Sequence, residues 1–404
     1  MDIKIIPRKL SGEITAISSK SAGHRALIAA ALSKEKTEVF INTISNDIKA
    51  TASCLEALGA KLSFSEGKIE VEPINEVPQK VKLNCLESGS TLRFILPIAA
   101  SLCESFEITG EGRLPERPMD ELIDEMEKHG CVFSSRKLPF KVCGKLNGGR
   151  FEIPGNISSQ YITGLLLALP LLNEESEIFL TSKLESSGYV DLTLKTLKEF
   201  NVKIEKRENS FFISENCEYH SNEKVEIEGD WSNGAIFLAA DYLYPGVKVK
   251  GLLKDSLQSD KVFPEIISNM KDGLVVDASE IPDIVLPLCV CAAKINGVVT
   301  FTNVRRLGLK ESNRILAAKE MINSLGGKAE ISDDEIKIYG NGKLVGGIVD
   351  GFNDHRVVMS AAIASCICEK DVIIKGADAV NKSYPTFFDE FKKLGGSIDV
   401  FNVR

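Results

Sequence analysis

The chain reads SSKSAGHR at residues 18–25 and then continues through residues 26–32 without one polar side chain. A helix that is apolar on every face has no side for solvent, so this segment is predicted to be a buried helix. The amino-terminal end of a helix carries unpaired N–H groups and the positive end of the helix dipole. Serine caps with Lys20 and Arg25 beside them are therefore typical of a phosphate or carboxylate site.

The same arrangement occurs five more times. A short polar stretch precedes an apolar segment at residues 88–93, 158–160, 230–233, 281–283 and 353–356. Any one of these stretches alone is more often structural than functional, because Ser, Asp and Asn are the preferred N-cap residues. Six together favour a set of helix ends that present polar and basic groups to an anion.

The polar stretches recur at a nearly constant interval, which indicates a repeat. Counted from Ser21, the later ones at Ser88, Ser158, Ser232, Asp283 and Asp354 follow after 67, 70, 74, 51 and 71 residues. The ends of the amphipathic segments recur with a similar spacing, and both series place one shortened unit around residues 230–285. This period predicts six compact α/β units, each with one buried and one exposed helix.

The length of 404 residues exceeds what one ordinary core accommodates, so two domains of three units each are expected. We predict the first domain at residues 19–228. The second is predicted at residues 229–404, completed by a strand from residues 1–18.

Charge and cysteine usage exclude several classes of protein. A net charge of −8 argues against a general nucleic-acid surface. The chain start lacks a signal-peptide core and no apolar run reaches about 18 residues, so a cytoplasmic protein without membrane contact is expected. The cysteine pairs at 289/291 and 366/368 lie in apolar segments predicted to be helical, without zinc-type spacing, and the four histidines are scattered. We therefore expect buried thiols, no metal and no cofactor.

The polar stretches together resemble the 3-phosphoshikimate 1-carboxyvinyltransferases, also called 5-enolpyruvylshikimate-3-phosphate (EPSP) synthases, of the enolpyruvyl transferase family. The resemblance covers essentially the whole chain. It rests on residues 20–25, 88–93, 110–118, 158–160, 281–283, 310–314, 353–356 and 382. The family implies an α/β fold of two domains, each an α/β prism of three βαβαββ repeats around buried helices, with the active site in the interdomain cleft.

The resemblance also implies a reaction of the shikimate pathway, which leads to chorismate and the aromatic amino acids. The enolpyruvyl group of phosphoenolpyruvate passes to the 5-hydroxyl of shikimate 3-phosphate, and phosphate leaves; glyphosate competes at the phosphoenolpyruvate site. By position, the shikimate 3-phosphate site maps to Lys20, Ser21, Arg25, Ser158, Ser159, Gln160, Ser186, Asp283 and Lys310. The phosphoenolpyruvate site maps to Lys20, Gly89, Arg117, Gln160, Arg314, Arg356 and Lys382.

Three catalytic residues follow from the resemblance. Asp283 is expected to accept the hydroxyl proton, Glu311 to protonate the methylene carbon, and Lys20 to stabilise charge at the departing phosphate. Lys310 and Arg314 favour the ionised form of Glu311, so the acid role needs desolvation or a nearby anion.

Some positions leave alternatives open. Glu87, Arg306 and Asn313 depart from the pattern of many relatives, and we keep Glu87 and Arg306 outside the predicted site. Residues 310–314 pack three charges into five positions, which also fits an ion network on a helix surface. One alternative function is UDP-N-acetylglucosamine 1-carboxyvinyltransferase, although its loop cysteine is absent from residues 113–118. The other is a noncatalytic anion-binding protein on the same fold. We expect the chain to be a monomer.

Overall fold

The protein is described by a computed structural model that covers residues 1–401. The described chain divides into two compact units. The amino-terminal unit comprises residues 18–227, and the carboxy-terminal unit comprises residues 1–17 together with the chain from residue 228 onward.

The described residues form twelve α-helices. They are α1 (Lys20–Leu32), α2 (Asn46–Ala57), α3 (Gly89–Leu102), α4 (Asp120–Lys128), α5 (Ser159–Ala168), α6 (Ser187–Glu199), α7 (Trp231–Leu243), α8 (Phe263–Ser268), α9 (Val285–Lys294), α10 (Arg314–Ser324), α11 (His355–Ala364) and α12 (Phe387–Lys393).

The strands of the described chain are short. They are β1 (Asp2–Ile6), β2 (Gly12–Thr15), β3 (Thr37–Phe40), β4 (Lys61–Ser65), β5 (Lys68–Glu72), β6 (Val81–Asn84), β7 (Ser105–Thr109), β8 (Val132–Phe133), β9 (Phe140–Cys143), β10 (Gly149–Ile153), β11 (Ser176–Leu180), β12 (Ile204–Lys206), β13 (Ser210–Ile213), β14 (Lys224–Glu226), β15 (Val247–Lys250), β16 (Val275–Asp277), β17 (Asn296–Thr302), β18 (Lys328–Ile331), β19 (Glu335–Asn341), β20 (Gly347–Asp350), β21 (Val372–Lys375) and β22 (Ser397–Phe401).

The amino-terminal unit repeats one sheet topology three times, in the orders β14-β3-β5-β4, β6-β7-β9-β8 and β10-β11-β13-β12. In each sheet the first pair is parallel and the other two pairings are antiparallel. A parallel pair needs a crossover, and α3 and α5 provide it in the second and third sheets. In the first sheet, β14 comes from the far end of the unit's chain segment.

The carboxy-terminal unit contains two sheets of the same topology, β16-β17-β19-β18 and β20-β21-β1-β22. Strand β1 pairs antiparallel with both β21 and β22, with Ile3 opposite Ile374 and Val400. The remaining sheet is only the parallel pair of β2 and β15. The prediction of five full units and one shortened unit is therefore confirmed.

The apolar segments form the inner helices. Helix α1 is buried from Ala22 through Ala31, and α7, α9 and α11 pack against one another in the carboxy-terminal unit. One detail of the prediction is wrong, because Cys366 and Cys368 do not lie in an α-helix. Helix α11 ends at Ala364 and a 3₁₀ turn follows, where the hydroxyl of Ser365 donates to the carbonyl of Ala362.

Five of the six inner helices begin with a side-chain cap. The capping residues are Ser19, Ser88, Ser158, Asp230 and Asp354. Helix α9 differs, because its N-cap is Ile284, which makes no side-chain hydrogen bond. The carboxylate of Asp283, one residue earlier, instead pairs with basic side chains, and this pairing leads to the candidate site.

Candidate functional site

Arg25 lies in the second turn of α1, and its side chain is buried among neutral oxygens. Its Nε donates to the hydroxyl of Thr193 at 2.8 Å, and its Nη2 donates to the hydroxyl of Thr163 at 3.2 Å. Backbone carbonyls accept the other bonds, from Ser21 at 2.7 Å and from Tyr189 at 2.9 Å. These five residues form the hydroxyl cluster, which joins α1 to α5 and α6.

The hydroxyl cluster holds a cation without neutralising it. Arg25 is only 2 % exposed, and no carboxylate within residues 1–401 forms an ion pair with it. Burial lowers the pKa of Arg25 below its ordinary value. Because a buried charge is costly unless paired, such a guanidinium favours the arrival of an anion.

Lys20, the first residue of α1, does have an acidic partner. Its Nζ lies 2.7 Å from Oδ2 of Asp47, in the first turn of α2. Asp47 was missed by the sequence analysis. The available signal was weak, since an acidic residue after the Ser45 cap is common in any helix.

Gln160 is held by two neighbours in a fixed orientation. Nη1 of Arg93 donates to its Oε1 at 2.7 Å, and its own Nε2 donates to the hydroxyl of Ser90 at 2.9 Å. Nη2 of Arg93 donates to the carbonyl of Pro118 at 3.0 Å, which ties α3 to the loop at residues 113–118. Arg93 belonged to the quoted motif but not to the predicted site.

Gly89, the first residue of α3, faces Arg117 of that loop. A Cβ atom at position 89 would lie 2.7 Å from Cζ of Arg117, closer than such atoms approach. The structure thus brings these two predicted residues together and leaves no room between them for a side chain.

The predicted serines lie at helix starts of the same unit. The hydroxyl of Ser158 caps α5, Ser159 is its first residue, and Ser186 immediately precedes α6. Ser186 has φ 54°, a left-handed conformation that is uncommon for a residue with a side chain. Arg25 contacts Thr163 of α5 and Thr193 of α6, so one side chain joins the helices at whose starts these serines lie.

A second cluster occupies the carboxy-terminal unit and centres on Arg314, the first residue of α10. Its Nη1 donates to Asp283 at 2.7 Å and its Nη2 to Glu311 at 2.8 Å. Asp354 accepts from Nε at 2.8 Å and from Nη2 at 3.2 Å. We call these four residues the carboxylate cluster.

Burial and charge compete strongly in the carboxylate cluster. Burial alone would lower the pKa of Arg314, but its three carboxylates outweigh burial and raise it well above the ordinary value. Burial likewise opposes ionisation of Asp354, yet Arg314 holds the pKa of Asp354 below its usual range. Arg314 is only 1 % exposed, so the alternative of a surface ion network at residues 310–314 is wrong.

Lys310 and Asp354 extend the carboxylate cluster. Nζ of Lys310 lies 3.4 Å from Asp283, and burial, opposed by Asp283, lowers the pKa of Lys310. Asp354 also accepts from the hydroxyl of Ser312 and from the backbone N–H of Arg356, both at 2.9 Å. The sequence analysis quoted Asp354 only as part of a motif, because a cap and a buried ion-pair partner have the same signature there.

Arg356 and Lys382 are also buried in this unit. Nη1 of Arg356 donates to the carbonyl of Ser232 at 2.7 Å and to Oδ1 of Asn233 at 3.2 Å. Nζ of Lys382 donates to the carbonyl of Asn353 at 2.6 Å. Two more cations are therefore held through neutral oxygens near the starts of α7 and α11.

Within residues 1–401, no group of three or more His, Cys, Asp or Glu side chains is placed to hold a metal ion. None of the helices in that range is long and apolar enough to cross a bilayer.

These features define a class of protein. The chain is an α/β protein with buried cations near helix starts in both units and, in its carboxy-terminal unit, three carboxylates around Arg314, an arrangement typical of proteins that bind anions. The sequence model of one family, described as EPSP synthase (3-phosphoshikimate 1-carboxyvinyltransferase), matches residues 5–391. The chain belongs to this family.

Individual relatives agree with this family. Proteins named 3-phosphoshikimate 1-carboxyvinyltransferase from Clostridium novyi (strain NT) and Clostridioides difficile (strain 630) are 40% and 38% identical to the chain. The alignments cover 100% and 99% of this chain, respectively, and 99% of each relative. A solved EPSP synthase from Acinetobacter baumannii shares the fold, with a TM-score of 0.83 at 20% identity over 99% of this chain and 100% of that chain.

Proposed function

We propose that the protein transfers the enolpyruvyl group of phosphoenolpyruvate to the 5-hydroxyl of shikimate 3-phosphate and releases phosphate. Family membership supports this activity. The observation that carries it is the single guanidinium of Arg314, which holds Asp283 and Glu311 on its two Nη atoms. A protein that only bound anions would gain nothing from two acids beside its cations.

Shikimate 3-phosphate is proposed to bind mainly at the amino-terminal unit. The buried, unneutralised Arg25 suits a phosphate or carboxylate group, since guanidinium pairs bidentately with both. The hydroxyls of Ser158, Ser159 and Ser186 and the N–H groups of their helix ends add donors without charge. Asp283 and Lys310 are proposed to contact the same substrate from the other unit.

Phosphoenolpyruvate is proposed to use the remaining cations. They are Lys20, Arg117, Arg314, Arg356 and Lys382, together with Gln160 and Gly89. A side chain at position 89 would collide with Arg117, so only glycine lets the start of α3 lie this close to that cation. In this proposal, both units supply groups to both substrates.

The proposed reaction is an addition followed by an elimination. The 5-oxygen of shikimate 3-phosphate bonds to C2 of phosphoenolpyruvate while Asp283 takes the hydroxyl proton and Glu311 protonates the methylene carbon. The methyl group then returns a proton as the bond from C2 to the phosphate oxygen breaks. Lys20 stabilises the negative charge on the departing phosphate.

In the proposed mechanism, Glu311 becomes an acid when it loses its hydrogen bond to Arg314. A guanidinium has five N–H donors, and four bonds from Arg314 already go to its carboxylates. An anionic group of phosphoenolpyruvate that binds Arg314 displaces Glu311 from Nη2. Glu311 then lies beside the anion and no longer bonds the Arg314 guanidinium, so the protonated form of Glu311 is favoured.

The decisive experiment measures phosphate release. Release should require both phosphoenolpyruvate and shikimate 3-phosphate and should be unchanged by a chelator. Release with UDP-N-acetylglucosamine, and none with shikimate 3-phosphate, would overturn the proposal in favour of the alternative transferase. No release with either acceptor would favour a noncatalytic anion-binding protein.

The cellular setting is also a proposal. We place the protein in the cytoplasm as a monomer acting in the shikimate pathway. Light scattering of the purified chain tests the monomer, and complementation of a strain lacking this transferase tests the pathway.

A further inference from the structure

Asp260 is a buried acid in the carboxy-terminal unit for which the proposed reaction has no use. It lies in a 3₁₀ turn at Ser259–Val262 and is 2 % exposed. Its Oδ2 accepts a short hydrogen bond from the hydroxyl of Ser232, in the first turn of α7. Its Oδ1 is buried and finds no hydrogen-bond partner within residues 1–401.

The hydrogen bonds lead from Asp260 to Arg356 in two steps. The hydroxyl of Ser232 donates to Asp260, and the carbonyl of Ser232 accepts from Nη1 of Arg356 at 2.7 Å. Asn233, the next residue, accepts from the same Nη1 at 3.2 Å. Nε of Arg356 is buried and has no partner in the described chain. The first turn of α7 thus fixes where Arg356 points, and Asp260 anchors that turn.

The charges that face Asp260 favour its protonated form. Burial, and after it the negative charge of Asp283, raises the pKa of Asp260 to about 7. The Ser232 hydroxyl and Arg356 act in the opposite direction, whereas Asp230, the cap of α7, opposes ionisation. The ammonium of Lys261, the next residue, is directed at the carbonyl of Ser256.

We propose that Asp260 is a positioning residue for Arg356 that works while neutral, and that its ionisation weakens the binding of the anionic substrate. This inference rests on the proposed function, because it takes the anion held by Arg356 to be phosphoenolpyruvate. Above neutral pH, the ionised Asp260 places a negative charge beside that guanidinium and beside Asp283. Below neutral pH the charge is absent, while the hydrogen bond to Ser232 remains.

The test compares KM for phosphoenolpyruvate and kcat between pH 6 and 8.5 in four proteins, with shikimate 3-phosphate saturating. They are the parent, Asp260→Asn, Asp260→Ala and the control Asp255→Asn, an exposed acid five residues away. Asn keeps the volume and the bond to Ser232 but cannot ionise. The protonation of free phosphoenolpyruvate is the same in all four assays. Differences in the pH dependence of KM therefore reflect the protein.

KM for phosphoenolpyruvate should rise as the pH is raised through neutrality in the parent and in Asp255→Asn. This rise should be about fivefold larger than the rise in Asp260→Asn, because the added charge acts through a screened interaction of modest size. Asp260→Asn should match the parent at pH 6. Asp260→Ala should have a raised KM at every pH, because the anchor of α7 is lost, with kcat changed less than KM. If Asp260 had only a structural role, its replacement by Asn would not remove a pH dependence that is confined to KM.

Two failures are distinguishable. A pH profile of active Asp260→Asn that superimposes on that of the parent would overturn this inference and leave the proposed function standing. No phosphate release from the parent itself would overturn both. If Asp260→Ala does not fold, the comparison of Asp260→Asn with the parent still tests whether ionisation of Asp260 raises KM.

Discussion

Arg25 and Arg314 are both almost fully buried, but their surroundings are opposite. Arg25 is held by hydroxyls and carbonyls alone, and burial lowers its pKa. Arg314 is surrounded by three carboxylates that raise its pKa well above the usual value. The comparison teaches that a buried arginine can be held either by neutral oxygens, which leave its charge uncompensated, or by carboxylates, which it holds in place.

The largest expected effect is on stability, and it separates the two arginines directly. Arg314→Met should lower the free energy of unfolding by about 3–5 kcal/mol, because Asp354 is left buried without its partner. Arg25→Met removes a desolvated cation and should change stability by about 1 kcal/mol or less, since Thr163 and Thr193 still bond each other. Urea unfolding of both variants measures the difference. Equal losses would show that Arg25 is neutralised by a group we have not identified.

The acids of the carboxylate cluster should control turnover. Asp283→Asn and Glu311→Gln should each reduce kcat by about 100-fold or more while binding both substrates nearly normally. Asp333→Asn, an exposed acid of the same unit, is the control and should match the parent. Phosphate release under saturation measures all three, and near-normal kcat would remove the residue concerned from the proposed mechanism.

Gly89→Ala tests how closely the amino-terminal unit fits its ligand. The added methyl group meets Arg117, and overpacking of this kind costs about 1–3 kcal/mol. Glyphosate extends further than phosphoenolpyruvate, so its inhibition should weaken more than KM rises. Inhibition curves at matched ratios of phosphoenolpyruvate to KM decide the matter. Unchanged inhibition would mean that Gly89 does not line the site.

The smallest expected effect concerns the hydroxyls that hold Arg25. Thr193→Val keeps the shape but removes the acceptor for Nε, which should raise KM for shikimate 3-phosphate by about fivefold, the value of one hydrogen bond. Thr196→Val lies one turn along the same helix, where the hydroxyl bonds only the carbonyl of Leu192, and is the matched control. Equal KM values would show that Arg25 needs no support from Thr193.

Much of the fold could be predicted because its signals are local. The polar stretch before each apolar segment marks a helix start, and its recurrence revealed five full units and a shortened one. Strand β14 could not be predicted, since three residues at 224–226 carry no pattern that distinguishes a strand from a turn. Its pairing with β3 depends on a partner nearly 190 residues away.

The candidate site was predictable only in part, for a related reason. Lys20, Arg25 and Arg356 adjoin helix starts and can be found by position. Their supporting partners lie far along the chain: Asp47 on α2, Thr193 on α6 and Asp260 in the turn before α8. Side-chain pairing across elements leaves no periodicity in a single sequence. The catalytic and binding roles came from the family resemblance and stay predictions.

Strand β1 has a consequence for synthesis on the ribosome. It is made well before its two neighbours, β21 and β22, which lie near the other end of the described chain. At about 5–20 residues per second, the roughly 370 intervening residues take about 20–70 s. Throughout this interval the side chains of Ile3 and Ile5 have no sheet to join, and β1 lacks a partner strand on both of its edges.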